Sequence, residues 1–227
     1  KYYDARNGRF WQEKPQGDDL VRWKYQRYIK DYLRCIKGVD RNVGRILNRL
    51  DKLGLAENTL VIYSSDQGFF LGEHGWYDKR FMYEPSLKVP MIVRWPGKIK
   101  SNSINKDLVQ NLDFAPTFLE LAGAKIPTDM QGVSLAPILI GQRPDQWRDS
   151  IYYEYTGEPT HNVAAHFGVR TADHKLIRFP SLDQWELLDM KNDPEEIQSV
   201  HADPAYGKIR AELETKLTQL RQQYQVP

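Results

Sequence analysis

Apolar residues recur every three or four positions through Tyr25, Tyr28, Tyr32, Ile36, Val39, Val43, Ile46 and Leu50. That period places them on one face of a helix. The helix is predicted to start at a cap supplied by Asp18 or Asp19 and to run to about Leu53. Gly54 then closes it, since glycine readily takes the left-handed conformation after a last turn. Residues 1–18, polar and aromatic with Gly8, Pro15 and Gly17, read as irregular surface chain. At residues 59–63 the pattern changes to a continuous β-branched, apolar and aromatic run, as in a buried strand. A second such run, residues 89–95, is closed by Pro96 and Gly97. Helix, short link and strand suit an α/β layer.

Further on, Phe114, Phe118, Leu119 and Leu121 predict a helix, with Asp113 as its cap, Pro116 near its first turn and Gly123 at its end. Residues 141–149 are polar and contain Pro144, which places a domain boundary near residue 145. The expected organisation is α/β for residues 1–145 and a smaller subdomain for residues 146–227. In the second part, residues 151–155, 166–171, 175–179 and 185–188 are short β-type runs separated by turn residues. A last helix begins near Pro204, with Ile209, Leu213, Leu217, Leu220 and Tyr224 on one face. The expectation is a small antiparallel sheet covered by one helix, an α+β arrangement.

Composition narrows the function classes. The chain has 227 residues, 41% hydrophobic and 27% charged, in the ordinary globular range. A net charge of +2 gives no electrostatic footprint for nucleic acid or a membrane surface. No apolar run approaches the roughly 20 residues of a membrane span. The single cysteine, Cys35, excludes an internal disulfide framework.

The chemistry-bearing residues gather after the first predicted strand. Asp66 and Gln67 follow its carboxyl end, where open α/β sheets place ligands. Beyond them lies a loop of about 20 residues with Gly68, Gly72, His74, Gly75 and Lys79, a length that is usually functional. Asp66 and Gln67 offer hard oxygen donors suited to calcium. Spacing alone favours them as partners for turn amides. Lys79, between Asp78 and Arg80, is a solvated lysine or a cation for developing negative charge. His74 donates to a ligand or holds the loop, and Arg80 contacts an anion or pairs with Glu84. His161 and His166 sit in or beside the long connection at residues 156–165, and are surface histidines or sugar contacts. Trp23, Tyr25, Tyr28 and Tyr32 suit a core or interface better than a sugar platform.

Several short pieces, in one order and spacing, carry a resemblance. They are Ser65-Asp66-Gln67-Gly68, Leu71-Gly72-Glu73-His74-Gly75, Asp78-Lys79-Arg80 with Tyr83-Glu84, Val89-Pro90 and Trp95-Pro96-Gly97. Together they resemble the C-terminal portion of type I sulfatases, within the alkaline phosphatase superfamily. Gly168-Val169-Arg170-Thr171 and Trp185-Glu186-Leu187-Leu188-Asp189 look like that family's C-terminal subdomain. The phrase around Tyr153, Glu154, Tyr155, His161 and Asn162 is nearest to sulfatases of 6-sulfated N-acetylglucosamine.

The resemblance implies a sulfuric ester hydrolase acting on sulfated carbohydrates, with Asp66 and Gln67 as calcium ligands. It implies catalytic roles for Lys79 and His74, substrate contacts for His161, His166 and Arg80, and a periplasmic or extracellular location. The alternatives are a phosphodiesterase or phosphonate hydrolase of the same superfamily, and a carbohydrate-binding module. Such sulfatases use a formylglycine nucleophile made in a Cys/Ser-x-Pro/Ala-x-Arg motif. Cys35, followed by Ile36, Lys37, Gly38 and Val39, does not match it. Asp18-Asp19 superficially resembles the family's N-terminal metal-binding aspartate pair, but it precedes a helix and does not follow a strand, which rejects it. The expectation is therefore that the N-terminal sulfatase portion lies outside this segment, and that the segment alone is inactive.

Overall fold

The computed structural model of the chain describes residues 2–226. It falls into two compact units, divided between Thr59 and Leu60.

The first unit is helical. Residues expected to be irregular instead form α1 (Tyr2–Glu13), followed by α2 (Gly17–Lys52). Tertiary contact overrides weak local signals here: the Phe10 ring packs on Trp23 of α2, with centroids 4.7 Å apart. Gln16, not an aspartate, occupies the cap position of α2. Asp18 and Asp19 lie in its first turn, where their charge complements the helix dipole. The end of α2 follows the sequence closely. Gly54 has φ +67°, its N–H donates to the Asp51 carbonyl, and the Leu55 N–H donates to the Leu50 carbonyl. This double bond pattern satisfies carbonyls that a helix end leaves open. No residue of α2 is buried, and in the predicted apolar stripe Ile46 is 61% exposed.

The second unit opens with β1 (Val61–Tyr63), which pairs antiparallel with β2 (Ile92–Arg94). The strand expected to be buried is only partly covered, because its ladder has one neighbour among the described residues and Tyr63 is exposed. The connection between β1 and β2 contains the helical turn α3 (Glu84–Leu87). Next come α4 (Phe114–Leu121) and α5 (Ala136–Leu139). The predicted meander follows as β3 (Ser150–Tyr155), β4 (His166–Thr171), β5 (His174–Phe179) and β6 (Gln184–Asp189), each antiparallel to the next. The last helix is α6 (Gly207–Gln223).

Strand alternation explains how this small sheet is covered. Neighbouring residues on a strand point to opposite faces. Val169, Leu176 and Leu187 meet Leu213, Leu217 and Leu220 of α6. Their neighbours Ile177 and Leu188, with Phe179, meet Phe70, Met82 and Tyr83 from the β1–β2 connection. The sheet is thus apolar on both faces, which is why its strands read as nearly continuous hydrophobic runs. Each fully buried leucine here adds about 2 kcal/mol relative to exposure. One of the two cores is shared with the connection that carries the candidate site residues.

Candidate active site

The connection after β1 is folded back on itself. The Phe70 N–H donates to the Asp78 carbonyl at 2.7 Å, and the Gly72 N–H to the Trp76 carbonyl at 2.9 Å. Phe70, Trp76, Phe81 and Tyr83 pack together, with Trp76 stacked on Phe81 at 4.3 Å. The chain expected to be a structureless loop therefore has its own aromatic core.

Asp66 is exposed and Gln67 half-buried, immediately past β1. The Asp66 carboxylate receives one long bond, from the Ser65 hydroxyl at 3.3 Å. The amide of Asn111 holds the backbone beneath the pair, donating to the carbonyls of Asp66 at 2.9 Å and Ser65 at 3.3 Å. Asn111 was not singled out from the sequence, and a lone asparagine before a predicted helix gives no signal that it would be. The pair is thus fixed at the main chain while its oxygen donors stay available, which suits a hard cation. Among the described residues, no cluster of three or more His, Cys, Asp or Glu side chains could hold a metal ion. The doublet would supply part of a coordination sphere.

Gly68 shows why the chain can turn here. Its N–H donates to the Ser86 carbonyl at 2.7 Å, and a β-carbon on it would lie 2.1 Å from the Pro85 carbonyl oxygen. Only glycine tolerates that approach. The Ser86 hydroxyl in turn donates to the Lys79 carbonyl at 2.6 Å. One buried serine therefore ties the Gln67–Gly68 corner to Lys79.

Lys79 is half-buried, and its ammonium makes no hydrogen bond or ion pair with any described residue. The reason lies in its neighbours. Asp78 accepts from the N–H groups of Lys79 and Arg80, and its second oxygen pairs with the Arg80 guanidinium at 2.6 Å. Burial works to raise the Asp78 pKa, but these donors and the Arg80 charge hold it below the usual carboxylate range. Asp78 is committed to Arg80, and Lys79 is left as an available cation.

The expected Arg80–Glu84 pair does not form. Arg80 pairs with Asp78, and Glu84 faces the sheet instead, where Arg170 reaches it with two bonds of 3.1 Å. Spacing of four residues favours such a pair only on a helix, and Arg80 precedes α3.

His74 takes φ +54° and its ring lies among Phe70, Trp76 and Tyr83. It lines a cavity of about 460 Å³ together with Glu73, Glu84, Pro85, Lys88 and Pro194. Asp66, Gln67 and Lys79 do not line that cavity. His161 is exposed and pairs with Glu158 at 2.6 Å. The Thr160 hydroxyl chiefly, with His161 and the Arg80 guanidinium, draws the Glu158 carboxyl below its usual pKa. The connection at residues 156–165 therefore lies within electrostatic reach of Arg80. His166 is no surface residue. It opens β4, is 1% exposed, and is surrounded by Phe81, Tyr153, Tyr155 and Phe179. Its Nδ1 meets the Ala164 carbonyl at 2.9 Å, and burial pushes its pKa down. Tyr153, beside it, donates to the Arg80 carbonyl at 2.6 Å.

Asp113 stands at the expected cap position of α4, but its side chain makes no capping bond there. It is fully buried, accepts the N–H groups of Gln110 and Val133, and forms a two-bond pair with Arg148 at 2.5 and 2.6 Å. It holds together residues 110, 133 and 148, directly beside Asn111.

The sulfatase family profile matches residues 1–124, and that of the C-terminal region of N-sulphoglucosamine sulphohydrolase matches residues 72–223. This chain belongs to the sulfatase family. An N-acetylglucosamine-6-O-sulfatase of Bacteroides thetaiotaomicron is 48% identical over 213 residues, covering 92% of this chain and 38% of that relative. The human N-acetylglucosamine-6-sulfatase is 43% identical over 55% of this chain and 23% of its own length. A solved structure described as being in complex with its substrate D-glucosamine-2-N,6-O-disulfate superposes with a TM-score of 0.94 at 45% identity. It covers 98% of this chain and 46% of that one. The sulfatase chain described here thus spans less than half the length of these relatives. Its fold is that of the alkaline-phosphatase-like sulfatases, with the small antiparallel subdomain. None of its described helices is long and apolar enough to cross a membrane.

Proposed function

We propose that these residues form one side of the active site of a sulfatase that removes the 6-O-sulfate from N-acetylglucosamine-type sugars of glycosaminoglycans, in the periplasm or outside the cell. The observation that carries this reading is Lys79, whose ammonium has no partner among the described residues and whose carbonyl is tied through Ser86 to the corner that bears Asp66 and Gln67. The names of the two relatives and the substrate named for the solved structure support the sugar assignment.

A sulfate ester under attack accumulates negative charge on the leaving oxygen, and its three outer oxygens are already anionic. In this reading Lys79 donates a proton or hydrogen bond to that leaving oxygen. Asp66 and Gln67 are the residues that would hold a calcium ion, with Asn111 fixing their backbone. When bound, the ion supplies positive charge that polarises the sulfuryl group. Arg80, neutralised by Asp78, contributes less charge than Lys79. His161, exposed on its connection, is assigned to the sugar, while His166 acts from behind as packing for Phe81 and Tyr153.

The test is sulfate release by an enzyme containing these 227 residues, followed by ion chromatography. N-acetylglucosamine-6-sulfate should be hydrolysed far faster than a 2-O-sulfated hexuronate or an alkyl phosphonate ester. Faster turnover of either competitor overturns the assignment.

A further inference from the structure

The segment that carries Lys79 ends in a buried ionic network that the chemistry above does not use. The helical turn α3 starts at Glu84, and the Tyr83 side chain does not cap it. The first N–H groups of a helix have no partner within it. Here the N–H of Glu84 donates to Glu196, 112 residues further along the chain, at 2.6 Å. Glu196 is 2% exposed. Its other oxygen pairs with Lys175 of β5 at 2.5 Å, and Lys175 is fully buried. Lys175 also lies 3.3 Å from the Glu84 carboxylate, which Arg170 grips from β4. Two acids and two bases thus close a neutral set around the start of α3.

Glu196 reaches this place at a cost. Its φ of +57° is a left-handed conformation that a glutamate rarely adopts. The turn around it is locked, since the Glu196 N–H donates to the Asp193 carbonyl and the Gln198 N–H to the Asp193 carboxylate. A charged side chain held buried in a strained backbone implies that the surrounding structure fixes its position. What it fixes is specific: residues 84–87 carry Ser86, whose carbonyl receives Gly68 and whose hydroxyl holds Lys79.

We propose that Glu196 is a positioning residue for Lys79, acting through the start of α3 and Ser86, with Lys175 present to neutralise it. The inference rests on the catalytic role proposed for Lys79. The part of Glu196 that positions is its acceptor oxygen, and the part that Lys175 requires is its charge. These separate in variants. In an active enzyme containing this chain, Glu196→Ala removes the acceptor. Its kcat per folded molecule should fall about tenfold or more with KM nearly unchanged, because a displaced Lys79 is felt in the transition state. The paired variant Glu196→Gln with Lys175→Met keeps an acceptor and removes both charges. Its kcat should return to near the parent value.

Leu217→Ala, a structural change in the core between the sheet and α6, should lower the melting temperature and leave kcat per folded molecule unaltered. Folded fractions are read from near-ultraviolet circular dichroism. If Glu196→Ala fails to fold, Glu196→Ala with Lys175→Met, charge-balanced but lacking the acceptor, replaces it and should stay impaired. Parent-like kcat in the acceptor-less variant overturns the proposal, as does a paired Gln/Met variant that is equally impaired. An enzyme that keeps its rate on Lys79→Ala overturns the functional reading itself, whatever Glu196 does.

Discussion

Ser86 and Lys79 are joined by a bond of 2.6 Å from the serine hydroxyl to the lysine carbonyl, and the same serine accepts the N–H of Gly68. The lysine's main chain is thereby fixed to the corner that bears Asp66 and Gln67, while its ammonium stays without a partner among the described residues. A flexible four-carbon stem on a fixed root is suited to follow charge as it develops on a leaving oxygen.

Lys79→Ala should therefore lower kcat by about a hundredfold to a thousandfold, the range for removing one pre-placed donor to a transition-state anion. Its melting temperature should change little, since no ion pair is broken. Gly68→Ala offers the complementary case. A β-carbon 2.1 Å from the Pro85 carbonyl oxygen forces the two segments apart, so stability and rate should fall together. Steady-state kinetics with thermal melts on both variants checks this. A Lys79→Ala enzyme of unchanged rate removes the lysine from the mechanism.

Calcium should bind through side chains that the main chain presents. Asn111→Ala leaves Asp66 and Gln67 in place but frees their backbone, and is expected to weaken calcium affinity about 10- to 100-fold. Asp66→Ala, which deletes the only charged donor of the doublet, should weaken it further. Calorimetric titration of the chelator-treated enzyme with calcium makes the comparison. Equal affinities in all three proteins would take the doublet out of the metal site.

Asp113 and Arg148 make a stability prediction of a different size. The carboxylate is fully buried and already accepts two main-chain N–H groups. Removing Arg148 leaves it without its counter-charge, and breaking such a pair from one side costs about 3 to 5 kcal/mol. Arg148→Met should therefore unfold at markedly lower denaturant concentration than the parent. Arg143→Met, which breaks an exposed pair with Asp107, should cost under about 1 kcal/mol. Chemical denaturation of the two variants side by side tests the contrast.

What the sequence disclosed follows from where its signals are local. The end of α2 and all four strands of the meander were legible, because a glycine after a periodic helix and short runs between turns act through nearest neighbours. The face of α6 was legible for the same reason: Leu213, Leu217 and Leu220 are the buried positions. Residues 2–13 were misread because Gly8 and scattered polar residues are weak helix formers, and contact with Trp23 is non-local. The doublet and the lysine were picked out through several short motifs in one order. Their supports were not. Ser86, Asn111, Arg148 and Glu196 act on partners 7, 45, 35 and 112 residues away, and no local pattern marks such a pair. Arg80 shows the converse error. Glu84 stands four residues on, but the partner was Asp78, two residues back.

Asp189 gives the chain an acid-sensitive joint between β6 and the last helix. Burial alone would raise its pKa, but the Tyr206 hydroxyl and the Asn192 side-chain and main-chain N–H groups lower it from 3.8 to about 2. A carboxylate with a depressed folded-state pKa adds stability that is fully present above its unfolded value. That stability is lost as pH falls towards the folded value. The window is therefore pH 4 to 2, and the full contribution is about 2 kcal/mol. Asp189→Asn should be less stable than the parent by about that amount at neutral pH, and the gap should close as pH drops through this window. Denaturant melts of parent and variant at several pH values provide the measurement. A gap that stays constant from pH 6 to pH 2.5 would mean that the hydrogen bonds to Asp189 do not depend on its charge.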